Sequence, residues 1–240
     1  LDRRLGIAAG VLLCAIEVDG PIRTESFLRK DVPAIRKWLG AQAKRNLYYH
    51  VNPVPRPRED ERGRPTKALK TDIPEVHFFH VDIDPPEGKR GDEEWQSATV
   101  AKLQGFRLPP SAIVFSGNGI QALWALDDPL KINGAKEADE ASRYNWELAR
   151  LFDGDGPARD ISRVLRLPGS TNYPTKKKRE KGYPVSESSI ISLNPDRTYA
   201  LSQFEKIEAK FMKSEKEKKK EGSGPVDVSQ VDIEGAKGTI

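Results

Sequence analysis

Apolar positions in the 240-residue chain come in short runs, broken by clusters of proline, glycine and charge. Residues 32–44 put Ile35, Trp38 and Leu39 on one face with Pro33 near the start, which predicts a helix. A strand is predicted over 47–51. The run Val76-His77-Phe78-Phe79-His80 is apolar and aromatic enough for a buried strand, and Pro85-Pro86 stops it. Residues 93–105 predict a helix. Segments 112–115 and 120–126 predict two strands joined by Ser116-Gly117-Asn118-Gly119, a hairpin turn. Residues 136–152 carry Ala141, Tyr144, Leu148 and Leu151 at helical spacing. A strand is expected over 190–193, then a helix over 201–212 with Leu201, Phe204, Ile207 and Phe211 inward. The segment 7–16 is apolar but too short to span a membrane. It follows Arg3-Arg4, as in a signal peptide, yet Glu17 and Asp19 follow without a small-residue cleavage site. It therefore predicts an amphipathic or buried helix.

Helices mixed with strands, and a hairpin among them, predict an α+β fold. One folded domain is expected over 1–212, with its core at about 47–201. Residues 213–240 read as a charged tail or linker without fixed structure. Residues 53–66 hold four prolines and many charges and predict a mobile or extended basic loop.

Composition narrows the class. The chain is 37% hydrophobic and 32% charged, with no apolar stretch of transmembrane length. Its single cysteine, Cys14, excludes an internal disulfide and a cysteine-built zinc site, and fits a reducing cytoplasm. The net charge of +4 is unevenly placed. Residues 56–70, with Arg64 and Lys67, are basic, as are 176–181, with Lys176, Lys177, Lys178 and Arg179. The Asp pair described next and Asp92-Glu93-Glu94 are acidic. Basic patches around an acidic centre suit a polyanion held beside metal ions, although most surface lysines are merely solvated.

Three motifs carry candidate chemistry. Asp82 and Asp84 stand two apart at the end of a strand, so their carboxylates share a face. Two such charges repel, and a divalent cation between them relieves the repulsion; all-oxygen ligands favour Mg²⁺ or Mn²⁺. A turn accounts for the same residues, and glycosyltransferases, nucleases and polymerases all use Asp-x-Asp. The second motif is Ser116-Gly117-Asn118-Gly119-Ile120-Gln121. Its glycines permit positive φ and expose amides that can cradle a phosphate, or they form an ordinary hairpin turn. The third runs from Asp160 to Pro174. Asp160 offers a third carboxylate, and Arg163 and Arg166 offer phosphate contacts or one salt bridge. His77 and His80, three apart on a strand, read as core or supporting residues. Trp124 and Tyr173 could stack on a base but fit a core equally well.

The order Asp82-x-Asp84, Ser116-Gly-x-Gly-x-Gln121, then Asp160-x-x-Arg163-x-x-Arg166-x-Pro168-Gly169-Ser170-x-Asn172 resembles the archaeo-eukaryotic primase superfamily. It is most similar to the RepB-like primase–polymerases of plasmids, phages and prophages. The resemblance implies an RRM-like antiparallel sheet with flanking helices beside a smaller α/β lobe. It implies that Asp82, Asp84 and Asp160 hold two Mg²⁺ or Mn²⁺ ions. Ser116, Gly117, Asn118, Gly119 and Gln121 would hold the incoming triphosphate, and Arg163, Arg166 and Asn172 would contact phosphates or template. Nucleoside triphosphates, a single-stranded template or primer-template, and a fused or separate helicase are the implied partners, with DNA contacts at Arg64, Lys67 and 176–179. Gln121 departs from the usual histidine; it can donate a hydrogen bond but carries no charge. Two rivals remain: a replication initiator that binds DNA without catalysis, and an Asp-x-Asp glycosyltransferase, which explains neither the Asp160–Arg166 cluster nor the basic stretches.

Overall fold

A computed structural model describes residues 10–208 apart from 56, 90 and 155–158. The first strand, β1 (Gly10–Glu17), is the apolar run expected to be helical. It is a strand because it pairs antiparallel with β2 (Ile22–Leu28) on one side and β3 (Arg45–His50) on the other. A strand buried between two neighbours reads as one continuous hydrophobic run, which periodicity alone does not separate from a buried helix. Cys14 lies in it, and burial pushes its thiol pKa up to about 12. A short strand, β7 (Val164–Arg166), adds to β3, giving the order β2-β1-β3-β7. Against this sheet lies α1 (Val32–Gly40), capped by the Asp31 carboxylate, which accepts from the Ala34 amide at 3.1 Å. The helix stops at Gly40, short of the predicted boundary at 44.

The larger sheet is the antiparallel one that the primase likeness implies, apart from its last short strand. It comprises β4 (Glu75–Ile83), β5 (Ala112–Phe115), β6 (Ile120–Lys131), β10 (Ser189–Leu193) and β11 (Thr198–Tyr199), which pairs parallel with β6. The β5–β6 hairpin falls where the Ser116–Gly119 turn predicts it, and β6 runs on to Lys131. Two helices, α2 (Glu93–Gln104) and α3 (Ala135–Phe152), pack on β6 and β4. The core lies beneath them: Phe79 stacks on Tyr144 at 4.8 Å between ring centroids and Trp124 on Phe152 at 5.9 Å. Trp124 is wholly buried and its indole N–H donates to the Leu108 carbonyl at 2.6 Å, so it is a core residue and no base-stacking platform.

Phe78 and Leu123, in another part of this sheet, meet Val51 and Leu165 of the smaller lobe beside a cavity of about 410 Å³. Two more short strands, β8 (Thr171–Asn172) and β9 (Ser186–Glu187), pair with each other, and α4 (Lys176–Glu180) lies between them in sequence. The helix expected over 201–212 is instead a single 3-10 turn at Leu201–Gln203 followed by irregular chain to 208. Phe204 still packs edge-on against Phe79 at 5.0 Å, so the apolar spacing marks a core contact without a helix. Residues 209–212 and the predicted tail at 213–240 lie outside the described residues. Among the described residues no helix is long and apolar enough to cross a membrane.

Candidate functional site

The three motifs meet at the end of β4. Register places Asp82 opposite Gln121 on β6, and the Gln121 amide Nε2 donates to Asp82 Oδ1 at 3.3 Å. On the other carboxylate oxygen, the Arg163 guanidinium stands 4.0 Å from Asp82 Oδ2. The Asp82 side chain is 17% exposed and the Arg163 side chain 28%, so this charge pair is largely sheltered from water. Asp84, one residue past the strand, is exposed and packs on the turn: a Cβ at Gly119 would sit 2.6 Å from the Ile83 carbonyl and 2.9 Å from Asp84 Oδ1. Only glycine lets the hairpin and the strand end approach this closely.

The turn is tied to the third motif. Asn172 Nδ2 donates to the Ser116 carbonyl at 3.0 Å, and the Ser186 hydroxyl donates to the Gly117 carbonyl. Gly117 has φ +94°, and a Cβ there would lie 2.8 Å from Asn172 Cβ. Inside the turn Ser116 N donates to Gly119 O at 2.9 Å, and Gly119 N to Ser116 Oγ at 3.1 Å. Ser116, Asn118 and Gln121 are all buried.

Arg163 and Arg166 have different surroundings. Arg166 is 5% exposed and its guanidinium donates to Asn46 Oδ1 at 2.7 Å, the Tyr48 hydroxyl at 2.8 Å, Asn172 Oδ1 at 2.9 Å and the Thr171 carbonyl at 3.4 Å. It also lies over the Tyr48 ring, 4.6 Å from the centroid. Burial pulls its pKa below the ordinary arginine value, and Tyr48 and Asp82 pull it back up. Arg166 is thus a clamp that fixes Asn172, and through it the turn, where its motif predicts a phosphate contact. Arg163 Nε, by contrast, is buried with no hydrogen-bond partner. Asn46 completes the clamp, accepting from the Tyr173 amide at 2.8 Å and donating to its carbonyl at 2.9 Å.

Asp160 lies on a segment tied to β4. Its Oδ1 accepts from the Ser162 amide at 2.8 Å and the Ser162 hydroxyl at 2.7 Å. Among the described residues no three His, Cys, Asp or Glu side chains form a ready metal cluster, so the three acids are not gathered into the preformed site expected. The physical reason is local: protein donors compensate the acids separately, with Asp82 turned to Gln121 and Arg163, and Asp160 to Ser162. The donor chemistry still suits a hard divalent cation, since the carboxylates at this sheet end offer oxygen only and no thiolate.

The basic stretches are both solvent-exposed at the named positions. Arg64 is paired with Asp60 at 2.5 Å, which holds that carboxyl down to about 2. Lys176, Lys177, Lys178 and Arg179 form most of α4, which is capped by the Thr175 hydroxyl and joined to the β1–β2 turn by the Lys176 amide donating to Asp19 Oδ2 at 2.9 Å. Arg56 lies outside the described residues. His80 is fully buried, and His77 pairs with Glu75 at 3.0 Å, consistent with supporting roles. Sequence reasoning missed Asn46, Tyr48, Asn52 and Asn145. Asn145 carried a signal, because it sits on the apolar face of α3 with Ala138, Ala141, Leu148 and Phe152.

Comparison with known proteins agrees with this fold. Residues 41–193 match the family model described as the RepB DNA-primase N-terminal domain. A search of curated proteins finds no match. Among solved structures, the primase–polymerase AEP domain of cyanophage S-2L aligns with a TM-score of 0.51 at 16% identity, over 82% of this chain and 87% of that one. Primase RepB′ aligns with a TM-score of 0.54 at 13% identity, over 92% of this chain; the chain spans 64% of that protein. The catalytic domain of primase RepB′ in complex with initiator DNA aligns at 0.50 and 15% identity, over 92% and 93%.

Proposed function

Since the chain belongs to the RepB DNA-primase N-terminal domain family, we propose that it is a template-dependent nucleotidyltransferase that makes or extends primers in plasmid, phage or prophage replication. The observation that carries this reading is the bonding of all three motifs around Asp82: Gln121 and Arg163 on its carboxylate, Asp84 against Gly119, and Asn172 on the Ser116 carbonyl. Asp82 and Asp84, with Asp160 from the adjoining segment, would hold two divalent ions, Mg²⁺ or Mn²⁺. Such ions supply Lewis-acid stabilisation of the attacking and leaving oxygens in phosphoryl transfer.

The chain's own groups do the rest. Arg163, with its Nε unsatisfied, offers the charge-assisted contact to a phosphate oxygen. The turn's amides at Gly117 and Asn118 are the ones its internal bonds leave for a triphosphate. Gln121 orients Asp82 and donates beside the same ligand. Arg166 contributes by holding Asn172 and thus the shape of the turn. DNA contacts fall to the exposed cations of α4 and to Arg64 and Lys67, in a steering role that salt screens.

The rival to test is an initiator that keeps the fold and binds DNA without catalysis; Gln121 in place of histidine is its support. The family match sets the glycosyltransferase aside. Nucleotide incorporation on single-stranded DNA with Mg²⁺ or Mn²⁺, with and without primer, separates them. Metal-dependent incorporation is expected. Tight DNA binding with no incorporation under either metal would establish the initiator.

A further inference from the structure

Among the described strands β4 pairs with β6 alone, so it is an edge strand whose outward amides need partners. Two buried asparagines supply them. Asn52, just past β3, is 1% exposed, and its Oδ1 accepts from the His77 amide at 2.9 Å and the Phe78 amide at 3.0 Å, where the β4–β6 register breaks. Asn145 on α3 is fully buried, and its Oδ1 accepts from the His80 amide at 3.0 Å. Each carboxamide then turns its Nδ2 the other way. Asn52 donates to the Ile161 carbonyl at 3.0 Å and the Phe78 carbonyl at 3.3 Å; Asn145 donates to the Arg159 carbonyl at 3.2 Å and approaches His80 Nδ1 at 3.3 Å. The Arg159 and Ile161 carbonyls so held are those immediately before and after Asp160. The amides so held lie on the strand that delivers Asp82.

We propose that Asn52 and Asn145 are positioning residues that set the distance between the Asp160 carboxylate and the Asp82–Asp84 pair; this rests on the metal-dependent reading above. Two carboxamides here stand where a neighbouring strand's backbone would otherwise be. A ladder would draw the Asp160 segment to about 4.7–4.9 Å from β4. A side-chain amide inserted between the two backbones holds them further apart by its own width, without leaving buried donors or acceptors open. The spacing this sets would decide whether cations and a triphosphate fit beside the acids. Neither asparagine touches substrate or metal in this scheme; both act through the backbone on either side of Asp160.

The test uses Asn52→Asp, Asn145→Asp and the double variant. Each retains the acceptor oxygen that caps β4 and, when ionised, loses the donor that holds the Asp160 segment. The readout is Mn²⁺ binding to the DNA-free, nucleotide-free protein by electron paramagnetic resonance, with circular dichroism and metal-free DNA affinity as controls. Outer contacts of this kind typically change metal affinity about 10- to 100-fold. We expect about tenfold weaker Mn²⁺ binding in each single variant, more in the double, and unchanged DNA affinity without metal. Wild-type Mn²⁺ binding that Asp82→Asn abolishes but the asparagine variants leave intact overturns the positioning role alone. Wild-type protein that binds no Mn²⁺ through Asp82 overturns the metal-dependent reading, and this inference with it. Should the variants not fold, a wild-type crystal structure with Mn²⁺ decides: Asp160 ligating the ion with both flanking carbonyls still held by the asparagines supports the role, and an ion on Asp82 without Asp160 refutes it.

Discussion

The strand that carries Asp82 and the segment that carries Asp160 are held in place by different means. β4 is held by ladder bonds to β6 from Phe78 to Ile83 and by apolar packing of Phe79, Val81 and Ile83. The Asp160–Asn172 segment contributes only the three residues of β7 and two of β8 to any sheet. Beyond the short β3–β7 pairing, which the Val51–Arg163 and Leu167–Leu47 backbone bonds extend, it is placed by single side chains: Asn52 and Asn145 before Arg163, and Arg166, Asn46 and Tyr48 after it. A ladder spreads its stabilisation over many bonds, so losing one costs little. A clamp concentrates it, so losing one buried partner strands several polar groups at once.

That contrast fixes the largest expected effect. Arg166→Met removes a buried guanidinium that bonds Asn46, Tyr48, Asn172 and the Thr171 carbonyl, and strands all of them. We expect a loss of about 3–5 kcal/mol in chemical denaturation. Arg163→Met, at the other arginine of the motif, removes one 4.0 Å charge contact and no bond through Nε, so it should cost less stability than Arg166→Met and instead raise the Michaelis constant for nucleotide. If the two variants lose stability equally, the division between clamp and ligand contact is wrong.

On the ladder side, Gln121→Ala removes the amide that holds Asp82 and that, in the proposed reading, also donates to the triphosphate; one hydrogen bond to such a charged group is worth about 1.5–3 kcal/mol. The expected result is roughly a 10- to 100-fold rise in nucleotide Michaelis constant with DNA binding unchanged. Gln121→His should retain activity. Weakened DNA binding with intact nucleotide affinity would make the turn a DNA contact.

Much of the ladder side is legible in the sequence, and little of the clamp side is. The runs at 76–83, 112–115 and 120–126 betray themselves through apolar content and a glycine-rich turn, and helix α3 through its spacing. The central strand β1 passes for a helix because two-sided burial erases the alternation that marks a strand. The clamps are invisible for another reason. Asn46 and Arg166 bond across 120 residues, and Asn52 and Ile161 across 109, leaving no local periodicity. The three motifs are readable as residues, but not the unequal fates of Arg163 and Arg166. Burial of a side chain on so short a strand depends on what the rest of the chain places over it.

His50, at the end of β3 beside Asn52, extends the comparison to pH. Burial, with help from Lys67, lowers its pKa to about 4 from an ordinary 6.5. The unfolded chain therefore takes up a proton near pH 6.5 that the folded one refuses until about pH 4. His50's contribution is whole above pH 6.5 and is lost progressively as pH falls toward 4, about 3 kcal/mol in all. Denaturation midpoints measured across this range should fall, and His50→Gln should flatten the fall. An unchanged slope in the variant would place the sensitivity elsewhere.

The smallest effect is electrostatic. Replacing Lys176, Lys177, Lys178 and Arg179 with alanine should flatten the salt dependence of single-strand binding. The slope of log K against log salt should shrink by about 0.7 for each phosphate that α4 no longer neutralises. A titration with the wild-type slope would remove α4 from the DNA surface.

The central claim is that the ladder-held and clamp-held carboxylates serve one reaction. Its most direct test is nucleotide incorporation on a primed single strand with Mn²⁺ by Asp82→Asn and Asp160→Asn, compared with wild type at matched DNA occupancy. Both variants should lose activity at least about 100-fold, a barrier increase of about 2.7 kcal/mol, while folding and binding DNA normally. An Asp160→Asn enzyme within a few-fold of wild type, beside an inactive Asp82→Asn, would show that the two regions do not share a site.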